Sequence, residues 1–247
     1  MPPDRGAKGH HERRGFVQVD TAGLIFLLLI GIWVPMIAIR SARHLAAGMP
    51  MPPRRVLFTR TIFLLAILAI AACVVAYTNE IDLFPPFVLR PVDAGITLAV
   101  VVALCAALPW NWRASSPERR ARMGSMVPRN RGDAGLWIAT SFAAGIGEEI
   151  IYRGVLFTLV WRLTGNPWIA ALASAASFTA AHFVQGRRAM AVVGVVALLA
   201  QGLAWRTGAL YASMFVHTAY DLIAGWVYGR WFARDAAAVP PESVATS

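Results

Sequence analysis

An all-α fold, a polytopic bundle of about seven or eight transmembrane helices, follows from three features of the sequence. Of 247 residues, 57% are hydrophobic and 15% charged, a balance that suits a membrane-embedded chain better than a soluble domain. The apolar residues fall into long runs, several near the minimum of ~17 residues that spans a bilayer. The arginines gather in every second connection between those runs.

Taken in order, Met1 to Val19 is polar and basic, with Arg5, Lys8, Arg13 and Arg14 and no apolar periodicity, and is expected to form a disordered tail, 1–19. The run at 21–39 is too long for a signal-peptide core and lacks a convincing cleavage site, so it should stay attached. Runs at 61–78 and 94–110 complete an N-terminal unit of transmembrane helices and basic loops, 20–135. Runs at 136–161, 168–184, 189–205 and 209–229 form a C-terminal helical core, 136–230, before a tail, 231–247.

The first connection carries Arg40, Arg43, Arg54, Arg55 and Arg60, and the third carries Arg113, Arg119, Arg120, Arg122, Arg129 and Arg131. The fifth adds Arg187 and Arg188, and the C-terminal end adds Arg230 and Arg234. The alternate connections hold only Arg90, Arg162 and Arg206. Basic loops stay in the cytoplasm, so this pattern puts the first, third and fifth connections and the C-terminus inside. Seven spans then put the N-terminus outside, against its basic tail; an eighth re-entrant or interfacial element near Leu83–Leu89 would reconcile the two.

The net charge of +10 raises the possibility of a nucleic-acid partner. Membrane topology and anionic lipid account for the juxtamembrane arginines, and no nucleic-acid-binding motif accompanies them, so no nucleic acid is expected. Cys73 and Cys105 lie in different runs without metal-ligand spacing and are expected to be packing residues.

Chemistry concentrates in Gly145-Ile146-Gly147-Glu148-Glu149-Ile150-Ile151-Tyr152-Arg153-Gly154. From Leu136 to Trp161, Glu148, Glu149 and Arg153 are the ionisable groups apart from Tyr152. Each costs roughly 2.5–3.5 kcal/mol at the bilayer centre on insertion scales, which marks them as functional. On an α-helix Glu149 and Arg153 share a face and can neutralise each other, while Glu148 points about 100° away. Glu148 is left to face a cavity or another helix, where a general base would sit.

Two of the five histidines, His182 and His217, lie inside apolar runs. His217 and Asp221 are four apart and fall on one helical face. An intramembrane histidine alone is often a helix-helix hydrogen bond. Together with Glu148, Glu149 and Arg153, the set points to a polar cavity between the bilayer midplane and the cytoplasmic face, where water can reach it.

Three ordered motifs, Glu148-Glu149-x-x-x-Arg153, Phe178-x-x-x-His182 and His217-x-x-x-Asp221, resemble the signature of the CPBP family. That family comprises CAAX prenyl endopeptidases and bacteriocin-processing or self-immunity proteins, and is also called Abi. The resemblance covers roughly 136–229 and implies an intramembrane endopeptidase of about eight membrane helices, acting on a membrane-associated peptide or protein. It implies catalytic roles for all six residues: Glu148 and His182 activate a water, and His217 with Asp221 stabilises the oxyanion. The third motif admits an aspartate, but a charged one would repel an oxyanion, so Asp221 is protonated, orients His217 or holds a cation. A metal-free, glutamic mechanism is favoured; a zinc enzyme with Glu148, His182 and His217 as ligands is the alternative.

The substrate class stays open between prenylated C-termini, bacteriocin precursors and membrane-anchored sorting tails. The arginine- and alanine-rich composition resembles that of a bacterial protein from a GC-rich genome, which implies the inner membrane and makes prenylated substrates less expected. Two other classes compete. A proton-coupled transporter also uses intramembrane Glu, His and Asp, but the sequence has no inverted repeat or paired broken helices. A non-catalytic immunity or scaffold protein would keep the fold, and the complete motifs count against it.

Overall fold

A computed structural model describes residues 19–237; the expected basic tail therefore lies almost wholly outside the described residues, as does the end of the C-terminal tail. Among the described residues the chain is all helical, with eight helices and no strand. In order they are α1 Thr21–Ala46, α2 Arg54–Thr78, α3 Pro91–Arg113, α4 Pro117–Met126, α5 (131–164), α6 Pro167–Ala181, α7 Arg187–Thr207 and α8 Tyr211–Ala237. Four of them, α1, α2, α3 and α7, are long and apolar enough to cross a membrane by length and composition. The chain is an integral membrane protein built as a helical bundle.

The eighth element differs from the one expected. Residues 83–90 carry no regular secondary structure, and the additional helix is α4, inside the third basic connection. Ser116 caps it by accepting from the Arg119 N–H, Pro117 stands at its first position, and Glu118 is in its first turn. Helix α8 also runs seven residues past 230, to Ala237, because Arg120 of α4 reaches Asp235 at 3.2 Å and Arg129 lies over the Phe232 ring at 4.2 Å.

Cross-links at each end fix which helix ends lie together. At the basic end, Arg54 at the start of α2 pairs with buried Asp133 at the start of α5, 2.7 Å apart, and Arg188 of α7 donates to the Ala114 carbonyl at 2.7 Å. At the opposite end, Asn79 after α2 donates to the Asp20 carboxylate before α1 at 2.7 Å, and Arg162 donates to the Asn79 carbonyl. Arg206 at the end of α7 meets Asp93 of α3 at 2.8 Å there. Thus the sparse arginines of the alternate connections tie that end of the bundle together.

Two helices depart from α geometry. Leu29–Trp33 in α1 and Glu149–Leu156 in α5 are π-helical, with i→i+5 turns. Helix α6 supplies hydroxyls to both: Ser177 donates to the Ile30 carbonyl at 2.8 Å and Ser174 to the Tyr152 carbonyl at 2.7 Å. Ser174 and Ser177 are three apart, on one face, so α6 satisfies carbonyls in two π segments at once. The main apolar core, including Ile30, Ile151, Val155, Leu159 and Phe178, surrounds that contact.

Candidate active site

The first motif begins where α5 changes from α to π at Glu149, so the geometry differs from the uniform α-helix expected there. Glu149 and Arg153 nonetheless meet: Arg153 Nη1 donates to Glu149 Oε1 at 3.0 Å, with Glu149 0% and Arg153 4% exposed. The pair is not self-contained, because His217 Nδ1 lies 2.9 Å from the same oxygen. Glu149 therefore links Arg153 of α5 to His217 of α8, a connection across 68 residues that spacing within α5 does not reveal.

Helix α8 approaches α5 closely at this level because Gly145 has no side chain. A Cβ there would collide with Thr218, including its backbone nitrogen at 2.7 Å. Gly225 receives the Trp137 ring of α5 in the same way, so two small residues let the two helices come together, while Gly229 receives the Pro128 carbonyl of the connection before α5. Thr218 follows His217 and Glu148 follows Gly145 by three, so this approach brings the first and third motifs into contact.

His217 Nε2 stands 3.6 Å from Glu148 Oε2 and 3.7 Å from Asp221 Oδ2. Its ring thus faces carboxylates from Glu148, Glu149 and Asp221, and a doubly protonated imidazole has an acceptor beside each nitrogen. Glu148 Oε2 is buried and makes no protein hydrogen bond, as is true of Glu149 Oε2. Unlike Glu149, Glu148 has no arginine partner among the described residues.

His182 arrives from α6. Ala181 ends that helix, and His182 caps it while its Nδ1 lies 2.8 Å from the Phe178 carbonyl, one of the otherwise open acceptors of the last turn. With Nδ1 donating there, Nε2 is left for other partners. At 15 residues, α6 is about 22 Å long, short of a ~30 Å hydrocarbon core, so its end and His182 sit within the depth of the bundle.

Phe178 is the shared wall of the site. Its ring centroid is 4.5 Å from that of His182 and 6.0 Å from that of His217, while Arg153 lies over its face at 4.3 Å. Tyr152 packs edge-on at 5.0 Å. The second motif therefore contributes a ring that holds both imidazoles and the guanidinium, besides the histidine itself. Ser174, Ser177 and Gly145, which no chemical motif marks, set the helix positions; their signal in the sequence is small residues on helix faces within an apolar run.

The six motif residues occupy one neighbourhood, with one separation within it. Glu148 is in contact with His217, while His182 lies beyond ion-pair distance of Glu148. Among the described residues no group of three or more His, Cys, Asp and Glu side chains is placed to hold a metal ion. The two cysteines are free.

This fold and this buried acid-histidine centre define the class: a polytopic helical membrane protein with a polar site assembled from three helices. Residues 130–223, less than half of the chain, match a family model described as type II CAAX prenyl endopeptidase Rce1-like. The match contains all three motifs and bears out the resemblance to the CPBP family. No curated protein and no solved structure matches the chain.

Proposed function

We propose that the protein is an intramembrane endopeptidase that hydrolyses a peptide bond of a membrane-associated protein or peptide. The family match over 130–223 supports CAAX-type endopeptidase activity, since that is what the matched family is described as doing. The observation that carries the mechanism is Glu148 Oε2, buried without a protein hydrogen bond and 3.6 Å from His217 Nε2.

In this reading a water sits between Glu148 and the free Nε2 of His182. Glu148 takes its proton as the oxygen adds to the scissile carbonyl carbon. The carbonyl oxygen, now an anion, accepts from a protonated His217, whose far side is fixed by Glu149 and whose near side is flanked by Asp221. One oxyanion donor of this kind is typically worth about 2.7–4 kcal/mol. Collapse of the tetrahedral species breaks the C–N bond, and Glu148 returns the proton to the leaving amine. Asp221 orients His217 in this scheme, because the carboxylate lies 3.7 Å from Nε2. A prenylated C-terminus, a sorting tail and a bacteriocin precursor are all chemically compatible, and the bacterial inner membrane is the proposed location.

The test is cleavage of a membrane-derived peptide pool by wild-type protein and by Glu148→Gln, with and without a chelator, read by mass spectrometry. Products lost in the variant and retained with the chelator support the glutamate-based mechanism. Products lost with the chelator and restored by zinc would replace it with a metal mechanism. A folded wild-type protein that leaves every peptide intact, prenylated peptides included, would favour a transporter or a non-catalytic protein.

A further inference from the structure

The mechanism above leaves unused a cavity of about 290 Å³ at the basic end of the bundle, between the last turns of α3 and α8. Pro109, Trp112 and Arg113 line it from α3, and Trp231, Arg234 and Asp235 from α8. Trp112 is buried, stacked on Tyr228 at 5.6 Å and 5.9 Å from the Trp231 ring, so the inner wall is aromatic and packed. Arg234 follows Asp221 by thirteen residues, about 20 Å along α8, which separates this cavity from the acid-histidine centre.

Arg120 of α4 ties the two helix ends to each other. Its guanidinium donates to the Trp112 and Arg113 carbonyls at 3.1 and 3.3 Å and pairs with Asp235 at 3.2 Å. The carboxylate in the lining is therefore occupied. Arg113 and Arg234 are exposed, and neither has an ion-pair partner among the described residues. With the Arg120–Asp235 pair neutral, the lining keeps two positive charges that repel each other, and an anion between them replaces that repulsion with attraction.

We propose that this cavity binds the phosphodiester headgroup of an anionic phospholipid, with Arg113 and Arg234 donating to its phosphate oxygens. Guanidinium forks match phosphate geometry, and the volume exceeds the ~150 Å³ that holds benzene, leaving room for a glycerol unit against Trp112 and Trp231. Depth names the source of the phosphate. Helix α3 begins at Pro91 and α8 at Tyr211, both at the end opposite the basic loops, where Arg206 meets Asp93. Arg113 is 22 residues from the first and Arg234 is 23 from the second, so both stand about 33–35 Å from that end, just beyond a ~30 Å hydrocarbon core. That is the level of lipid phosphates, and basic pockets between membrane helices are where anionic headgroups settle. Exposed Leu98 and Val102 of α3 and Ile223 and Trp226 of α8 supply apolar surface for the acyl chains farther along the same helices. The site goes beyond the endopeptidase reading and does not depend on it.

The experiment titrates dioleoyl phosphatidylglycerol into the full-length protein in dodecyl maltoside and counts bound lipid by native mass spectrometry. Salt is held at about 0.15 M, where exposed charges more than ~8 Å apart are largely screened. One tightly held phosphatidylglycerol is expected, and phosphatidylcholine, whose trimethylammonium meets the arginines, should bind at least about tenfold more weakly. Arg113→Gln combined with Arg234→Gln should weaken the phosphatidylglycerol roughly thirtyfold. Arg43→Gln combined with Arg60→Gln makes the same charge change in the first basic connection and should weaken it less than about twofold. All four arginines are exposed, so both double variants should melt with the wild type in lipid-free detergent. Equal weakening by the two double variants, or no saturable lipid binding to the wild type, would overturn the site. Inorganic phosphate is titrated in parallel; if it binds as tightly as the lipid and is lost with Arg113 and Arg234, the cavity takes a soluble phosphate and the lipid assignment falls.

Discussion

Glu149 Oε1 lies 2.9 Å from His217 Nδ1 and 3.0 Å from Arg153 Nη1, so one buried carboxylate oxygen joins the first motif to the third. Arg153→Ala leaves that carboxylate with His217 as its remaining partner. The loss expected on breaking a buried pair from one side is about 3–5 kcal/mol. Thermal unfolding in detergent should show a large drop for Arg153→Ala and a partial recovery when Glu149→Gln is added. Equal stability of Arg153→Ala and wild type would mean that the pair is not buried in the membrane-embedded protein.

Phe178→Leu separates site geometry from folding. Leucine keeps much of the apolar volume but removes the face that Arg153 covers at 4.3 Å and the ring against which His182 and His217 lean. A misplacement of the order of 1 Å costs about a hundredfold in rate. Expression and melting temperature should stay close to wild type while kcat falls by that order; Phe178→Ala, with its cavity, should also lose about 3–5 kcal/mol of stability. If Phe178→Leu cleaves at the wild-type rate, the ring does not position the imidazoles.

The helical bundle was legible from the long apolar runs, and the three motifs that the structure brings into one neighbourhood were legible because charge within an apolar run has few innocent explanations and three spacings recur in order. The connection between Glu149 and His217 was not legible. It depends on α5 and α8 meeting at Gly145 and Thr218, and a glycine in an apolar run does not announce which helix will press on it. The π turn at Glu149–Leu156 was hidden for a similar reason: it is matched by Ser174 of α6, a partner from outside the segment. Helix α4 did carry a local signal, Ser116-Pro117-Glu118, which reads as a helix start within an otherwise basic connection. The 83–90 segment is apolar without being helical, and Leu83 packs into the main core from a loop.

Acid should loosen the basic end before it damages the rest. Burial pushes the Asp133 carboxyl up, but the hydrogen bonds from Arg54 and the Arg129 N–H outweigh it and hold the group below its ordinary value. A lowered folded value stabilises the fold above the unfolded carboxylate value of about 3.9, and that contribution disappears as pH falls through the folded value. Melting temperature of the wild type should therefore be insensitive to Asp133 between about pH 5 and 7 and should fall below about pH 4. Asp133→Asn should be less stable than wild type at pH 7, with the difference shrinking in acid. A difference that grows as pH falls would contradict the pairing.

Gly145→Ala tests whether close approach of α5 and α8 builds the site. The added Cβ meets the Thr218 side chain and its backbone nitrogen, and a helix backbone cannot swing aside as a flexible side chain would. The helices must separate locally, at a typical overpacking cost of about 1–3 kcal/mol. Because Glu148 and His217 lie beside the contact, their 3.6 Å separation should lengthen and turnover should fall by more than the stability loss accounts for. Gly135 is in the same helix, and a methyl added there would have nothing within 4 Å, so Gly135→Ala is the control. It should be neutral or more stable by about 0.5–1 kcal/mol, from the better helix propensity of alanine. Thr218→Ala alone should relieve part of the Gly145→Ala defect, since it removes the hydroxyl the new methyl strikes. Paired melting and cleavage measurements on these three proteins and the double variant would show it, and identical behaviour of Gly145→Ala and Gly135→Ala would place the helix contact elsewhere.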